Sequence, residues 1–464
     1  MSNNLSDSLL LKGLNGFLSC VQKRTAFFFE GSLLYKFFVQ NIDNFINFGA
    51  FLLLFLSIFA NSETLGLVVF LGFFALVSKY LFIKGCKVEV DFIDLIVIVY
   101  LMFFTIASLW SSWLFDSLHG LIKTYTYFFA YLVFKDILKT KPSKKPHYIG
   151  FLACLCVVEA FVCLQQQFVG VEAISGWQDM SNIDPSQAMT RVFGTLKPLN
   201  PNLMAGYFIA TFPCVLGLCF YNFKDRFFNI LGLLINKNLL FAFFAILVFL
   251  SIIFTGCRGS YIALFGQLAL FVFLSYFIIW NDFSENKQLK NIWKILVGVG
   301  CFLGFWGVLC SESLQTRITS IFSPRGDSSN SFRMNVYQSS FNMLKDNWLL
   351  GIGAGNWTFR EVYGLYMKTG FDALGAYSVF LEIAVETGVF GLLNFILLLF
   401  FSLKRGIDSF LEGAYNSKIL IAVPIFAIIG MMIHGIIDTV WFRPQLQFVF
   451  WLMVAFLGTE NEGN

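Results

Sequence analysis

The stretch LSIIFTGCRGSYIALFGQLALF, Leu250 to Phe271, runs apolar on both sides of Arg258. A guanidinium held near a bilayer midplane costs roughly 2.5–3.5 kcal/mol, so its place in two apolar runs has to be accounted for. Gly256 and Gly259 flank it between runs too close together for an ordinary loop. The backbone is therefore expected to turn sharply there, joining two spanning helices and leaving Arg258 at the rim. A charge at the rim admits three roles: a snorkelling anchor, a helix-end interaction, or a fixed ligand for an anion.

Composition supports the membrane reading along the whole chain. Of 464 residues, 57% are hydrophobic, 13% are charged and 60 are Phe, and the mean hydropathy is +0.73, well beyond the apolar share of a soluble globular domain. The net charge of +4 is too small, and basic residues too little interleaved with aromatics, to suggest nucleic acid. Of the ten cysteines, Cys154, Cys156, Cys163, Cys214, Cys219 and Cys301 fall inside apolar runs, where they act as small hydrophobes, and no CxxC pair signals a disulfide scaffold or thiolate metal site. The first 44 residues lack an early apolar core followed by a small-residue cleavage site, so no cleaved signal peptide is expected.

A hydrocarbon core about 30 Å thick needs about 20 apolar residues per helix. Segments 45–61, 64–83, 92–111, 117–136, 148–169, 203–222, 238–256, 259–280, 291–310, 377–402, 419–437 and 442–459 meet that length, predicting an all-α polytopic protein of about 12 spans. Lysines collect after every second span: Lys79, Lys84 and Lys87, then Lys135 to Lys145, Lys224 and Lys237, Lys287 to Lys294, and Lys404 and Lys418. Cytoplasmic loops carry that excess, which places both termini in the cytoplasm. The expected organisation is a cytoplasmic segment over 1–44, spans one to nine over 45–310 with an outer loop at 170–202, a large outer loop at 311–376, three more spans over 377–459, and a cytoplasmic tail at 460–464.

This topology puts Arg191, Arg258, Arg317, Arg325, Arg333, Arg360 and Arg443 on the exoplasmic side, where insertion does not favour cations. The two long outer loops hold five of these arginines against three lysines, Lys197, Lys345 and Lys368. Arginine offers a planar fork that clamps phosphate or carboxylate at two points, so the outer face reads as built for a polyanion.

Four exoplasmic stretches are candidates for chemistry. In TRVFGTLKPLNPNLMAGY, Thr190 to Tyr207, the prolines and asparagines start a span with Asn202 as cap, and Arg191 is either solvated or aimed at an anion near that helix N-terminus. TGCRGSY carries Arg258. In GDSSNSFRMNVYQSSFNMLKDNWLLGIGAGNW, Gly326 to Trp357, the residues Phe332, Val336, Met343 and Trp348 predict an amphipathic helix, with Arg333 on it and a flexible glycine turn after it. GIGAGN is a weak phosphate-loop signal, because no strand precedes it and no Lys-Ser/Thr pair follows. In AYSVFLEIAVETGVFGLL, Glu382 and Glu386 lie four apart on one helix face, as buried or pore-lining carboxylates or as a polar helix contact. In MMIHGIIDTVWFRP, His434 and Asp438 are likewise four apart, either a His–Asp orientation pair or a satisfied buried histidine.

At these residues the sequence resembles the O-antigen ligase and polymerase superfamily of bacterial envelope glycosyltransferases. RVFGTLKPLNPNLMAGY is similar to that family's Arg-x-x-Gly-Thr and Asn-Pro-Asn start of a span, TGCRGSYIAL to its Ser-Arg-Gly turn, and LLGIGAGNW with LEIAVETGVFGLL to its glycine turn and following helix. GDSSNSFRMNVY, ALGAYSVFLEIAVE and HGIIDTVWFRP most resemble a cyanobacterial branch labelled as bicarbonate transporters. The resemblance is close over about 190–459 and topological before that. It implies a twelve-helix, GT-C-like fold in the bacterial plasma membrane. It also implies transfer of a glycan from a polyprenyl diphosphate carrier to a glycan or lipid acceptor, with no metal and no cofactor. By motif position the family's diphosphate-binding arginines fall on Arg191 and Arg258, and Arg333 is a candidate third. The family's essential histidine falls on Tyr377, which leaves the base to Glu382, Glu386, Asp372 or the His434–Asp438 pair. An anion transporter is the rival, expected to hold its site near the midplane in broken helices of matching repeats. A non-catalytic binder of lipid-linked glycans is the third reading.

Overall fold

The structure of the protein, a computed structural model, describes residues 8–170, 191–230, 233–312, 315, 318–319 and 328–459. The described chain is almost wholly helical. In order the helices are α1 (Leu9–Phe29), α2 (Leu33–Leu56), α3 (Ser62–Phe82), α4 (Phe92–Trp110), α5 (Leu114–Thr140), α6 (Lys145–Val169), α7 (Pro201–Phe220), α8 (Lys237–Phe254), α9 (Arg258–Asn281), α10 (Lys287–Leu309), α11 (Ser328–Asp346), α12 (Asn356–Tyr363), α13 (Val379–Glu412), α14 (Tyr415–Gly435) and α15 (Pro444–Gly458). One short antiparallel hairpin, β1 (Phe227–Ile230) with β2 (Leu233–Asn236), precedes α8. A bilayer offers no water to backbone amides, so spanning segments close their hydrogen bonds internally as helices. This is the expected all-α polytopic membrane protein.

Among the described residues, ten helices are long and apolar enough to cross a membrane: α2 to α4, α6 to α10, α13 and α14. The predicted segments 117–136 and 442–459 correspond to α5 and α15. The first is interrupted by Lys123, Lys135 and Asp136, and the second is a 15-residue helix of about 22 Å at 1.5 Å per residue. These two helices pack against each other, and α15 is buried along its entire length, so protein rather than lipid surrounds it. The helix α2 starts at Leu33, twelve residues before the predicted first span, and α1 precedes it. Gln22 on α1 donates to the carbonyls of Tyr80 (2.8 Å) and Cys86 (2.9 Å), which ties α1 to the loop after α3.

The centre of the bundle is formed by α7, α14 and α15, while α10 packs on α9 and buries no residue of its own. Between α7, α9 and α14 a buried amide substitutes for apolar packing. Gln267 donates to the carbonyls of Ile209 (2.8 Å) and Phe426 (3.0 Å), and Gly430 makes room for it.

The charges separate along the helix axes. Where α9 ends and α14 begins, Lys418 pairs with Asp282 at 2.7 Å, and at α3, α4 and α5 Lys79 meets Asp136 (2.7 Å) and Lys135 meets Asp91 (2.8 Å). Protein carboxylates thus pair with Lys79, Lys135 and Lys418 at the lysine end. At the opposite ends of α9 and α14 lie Arg258 and His434.

The helix α11 caps this arginine end with a core of its own. Val336 and Met343 pack with Ile352, Phe359, Ala376 and Val385, whereas Trp348 stays half exposed. The predicted amphipathic helix therefore covers the bundle through its own apolar stripe.

Candidate active site

The turn between α8 and α9 is three residues long. Gly256 supplies its left-handed residue (φ 61°), a conformation that costs an L side chain roughly 1–2 kcal/mol. Gly259 serves a different purpose: a Cβ there would lie 3.2–3.3 Å from Ile437 and His434, so its absence lets the end of α14 approach. Arg258 is the first residue of α9 and is buried at 9% exposure. It lies at the positive end of that helix's dipole, where a bound anion would be favoured twice over.

Arg191 reaches the same turn from another part of the chain. Gln166 on α6 accepts from the amides of Phe193 (3.0 Å) and Gly194 (2.9 Å), Glu159 accepts from the amide of Thr195 (2.9 Å), and the Val192 amide donates to Phe254 at 3.2 Å. Strapped in this way, Arg191 directs Nε to the Thr255 carbonyl (2.9 Å) and a terminal nitrogen to Asn202 Oδ1 (2.6 Å), and its stem lies against Gly256. Asn200, not Asn202, caps α7, accepting from the Asn202 amide at 2.8 Å. The Asn202 side chain is thereby released to bridge outward: its Nδ2 donates to Asp438 Oδ2 at 3.1 Å. Residues 171–190 of the loop before α7, and Arg317 and Arg325 of the loop after α10, lie outside the described residues.

Asp438 gathers the third arginine. Its Oδ1 accepts from the Val440 amide at 3.1 Å, and Oδ2 lies 3.6 Å from a terminal nitrogen of Arg333 on α11. The Arg333 guanidinium sits 5.8 Å from the centre of the Tyr377 ring, within cation–π range, and its buried Nε has no hydrogen-bond partner. A buried unpaired N–H forgoes roughly 1–3 kcal/mol, so this guanidinium is incompletely satisfied by the protein alone.

Tyr377 is the one described non-glycine residue with positive φ, at 52°. Its carbonyl accepts from Tyr337 Oη on α11 at 3.1 Å, and its ring stands edge-on to Phe332. A tyrosine held in the left-handed region stores strain, a condition that clusters at functional sites. Burial, and then the nearby Asp438 carboxylate, raise its phenol above the ordinary value. It is a neutral hydroxyl at neutral pH and not a base.

The His434–Asp438 orientation pair is not formed. The helix α14 stops at Gly435, two residues before the predicted end, so four-residue helical spacing does not hold across Asp438. His434 is buried and turns its Nε2 to Cys257 Sγ at 3.5 Å, while Asp438 faces Asn202 and Arg333.

Glu382 and Glu386 do share one face of α13, but both carboxylates hold backbone. Glu382 accepts from the Ala376 amide (3.0 Å) and Glu386 from the Gly355 amide (2.7 Å). The glycine turn is docked rather than flexible. The Ile352 and Gly353 amides donate to the carbonyls of Val385 (2.9 Å) and Glu386 (3.1 Å), and the Ala354 amide donates to Ser117 Oγ (3.0 Å). With those donors occupied, GIGAG has no amide nest for a phosphate. A Cβ on Gly351 would fall 2.4 Å from Glu386 backbone. Asp372 is held by Arg360 (2.8 Å) in an exposed ion pair.

Arg191, Arg333, Asn202 and Asp438 thus form one connected cluster beside the turn over residues 255–257 that delivers Arg258. Residues 243–396 match the O-antigen ligase family model. The matched stretch contains Arg258, Arg333, Tyr377, Glu382 and Glu386, and stops before His434 and Asp438. No curated protein matches the chain. The match and the membrane-length helices support an O-antigen ligase or polymerase type of membrane protein.

Asn202, Gln166, Glu159 and Tyr337 are the site residues that sequence reasoning missed as such. Asn202 had a signal in the Asn-Pro-Asn repeat, where only one asparagine can cap. The other three are ordinary helix residues whose roles depend on what packs beside them.

Proposed function

We propose that this chain is an integral glycosyltransferase of the bacterial plasma membrane, with both termini cytoplasmic. It would transfer a glycan from a polyprenyl diphosphate carrier to an acceptor at its arginine end, taken as the exoplasmic face. The observation that carries the reading is the linkage of two arginines from separate parts of the chain to one buried carboxylate, Arg333 directly and Arg191 through Asn202, with the Arg333 Nε left unpaired.

In this reading the donor diphosphate binds at the start of α9, where Arg191 and Arg258 flank one turn, and draws Arg333 away from its loose 3.6 Å contact with Asp438. The acceptor hydroxyl oxygen attacks the anomeric carbon, the bond from that carbon to the diphosphate oxygen breaks, and the charge gathering on the diphosphate meets preorganised guanidinium groups. Asp438 takes the hydroxyl proton, because of the candidate carboxylates it alone faces the arginine cluster, whereas Glu382 and Glu386 hold backbone amides. Tyr377 occupies the position of the family histidine as a hydroxyl that orients rather than accepts a proton.

The arginine cluster sits at helix ends, at the starts of α7 and α9 and past the end of α14, which favours surface transfer over a midplane anion path. Tyr377 in place of histidine favours the non-catalytic glycan-binding reading, and one experiment separates the three. In purified protein reconstituted in vesicles, a radiolabelled polyprenyl diphosphate glycan is supplied with acceptor. Product formation that is lost in Arg258→Ala while the protein remains folded is the expected result. Binding without turnover supports the binder, and saturable bicarbonate uptake without glycan supports the transporter.

A further inference from the structure

Beside the arginine cluster, on the outer flank of α11, lies a cleft of about 750 Å³ whose lining includes Asn335, Tyr337, Gln338, Phe341, Lys368 and Leu381. Nothing assigned so far to the donor site uses it. It adjoins that site through Tyr337, which donates to the Tyr377 carbonyl one helical turn from Arg333.

Lys368 sets the cleft's polarity. Its Nζ donates to Asn335 Oδ1 at 3.1 Å and Gln338 Oε1 at 3.0 Å, two residues three apart on one helix face. An ammonium is a donor only, so both amides must present their oxygens to it and turn their NH₂ groups outward. The groups left to meet a ligand are then two amide donors and the remaining Nζ proton, with one positive charge. Phe341, half exposed, adds an apolar face. A cationic cleft in which Lys368 and the two amide NH₂ groups donate, with the Ser331 and Tyr337 hydroxyls beside them and an aromatic side, suits a ring that carries acceptor oxygens and an anionic group.

We infer that this cleft is the acceptor subsite and that it selects an acidic saccharide, the carboxylate of a uronate-type sugar meeting Lys368 and the outward amides of Asn335 and Gln338. The assignment as acceptor rests on the glycan-transfer reading above; the ligand chemistry does not. Because Lys368 and Gln338 are exposed, the charge contribution is screened by salt.

The test uses the full-length protein in detergent micelles, with a fluorescent oligogalacturonide and an oligoglucoside of equal length as probes in fluorescence polarisation. The oligogalacturonide is expected to bind at least about tenfold more tightly than the neutral probe and to weaken as salt rises. Lys368→Met is expected to remove that preference, Lys368→Arg to retain part of it, and Arg333→Ala to leave it intact while donor handling falls. Equal binding of both probes, or a Lys368→Met variant that keeps the preference, would overturn the inference. So would displacement of the probe by phosphatidylglycerol, which would reassign the anionic group to a lipid headgroup. Uronate binding without any donor turnover would defeat the transfer reading alone and leave the cleft's chemistry standing.

Discussion

Replacing Asn202 by alanine tests whether the arginine cluster is one preorganised unit. The amide of Asn202 both accepts from Arg191 (2.6 Å) and donates to Asp438 (3.1 Å), so its loss removes one hydrogen bond from a cation and one from a carboxylate whose same oxygen keeps only the looser Arg333 contact at 3.6 Å. Hydrogen bonds to charged groups contribute roughly 1.5–3 kcal/mol each, giving an upper bound of about 3–6 kcal/mol for the two. Water replaces part of this, because Arg191 is only half-buried, and Arg191 keeps its bond to Thr255 while Asp438 keeps the Val440 amide. About 2–3 kcal/mol is a reasonable remainder, which corresponds to roughly 30- to 150-fold in kcat/KM for the donor. Asn202→Asp should be worse than alanine, since it sets a second carboxylate against Asp438. The assay is initial-rate transfer from a polyprenyl diphosphate glycan in proteoliposomes, with thermal unfolding followed in parallel. A donor kcat/KM within threefold of the parent protein, for both variants and with an unchanged melting temperature, would show that Asn202 does not couple the two charges and would refute the reasoning.

Other substitutions probe the remaining elements. Glu386→Gln keeps an oxygen for the Gly355 amide and should retain most activity and stability, whereas Glu386→Ala should lower the melting temperature by removing that acceptor, at about 1–3 kcal/mol; a Gln variant that folds but is inactive would instead make Glu386 catalytic. Gly256→Ala should weaken both folding and donor affinity, by roughly 1–2 kcal/mol from its positive φ alone, read by unfolding and by donor titration. Because the raised Tyr377 phenol stays neutral past its ordinary value near 10, the pH–rate profile should show no limb from it below about pH 10; Tyr377→His should add one near pH 6–7, and a profile shape unchanged by that substitution would exclude Tyr377 from the reacting centre. Gly430→Leu should unfold the centre of the bundle, because even a Cβ would fall 2.1 Å from Gln267 Nε2; wild-type stability in that variant would show that the amide bridge is dispensable.

The helical, membrane-spanning character and the positions of most helices are written in the sequence, because apolar length is a local property that a bilayer reads directly. The sharp turn at Arg258 was equally legible, since two apolar runs either side of TGCRG leave the backbone one way to connect. The lysine-rich loops and the loops that carry the arginines also showed in the sequence as two groups. Which arginines are linked did not, because Arg191, through Asn202, and Arg333 are joined to Asp438 by the packing of α7, α11 and the segment after α14. The two carboxylates of α13 looked like a catalytic pair by spacing, and only the docked glycine turn shows what they hold. His434 and Asp438 looked like partners for the same reason, until the helix end at Gly435 parted them. Periodicity within one helix reports which residues share a face; what that face meets is decided by other segments, often more than a hundred residues away, and only the tertiary structure holds that information.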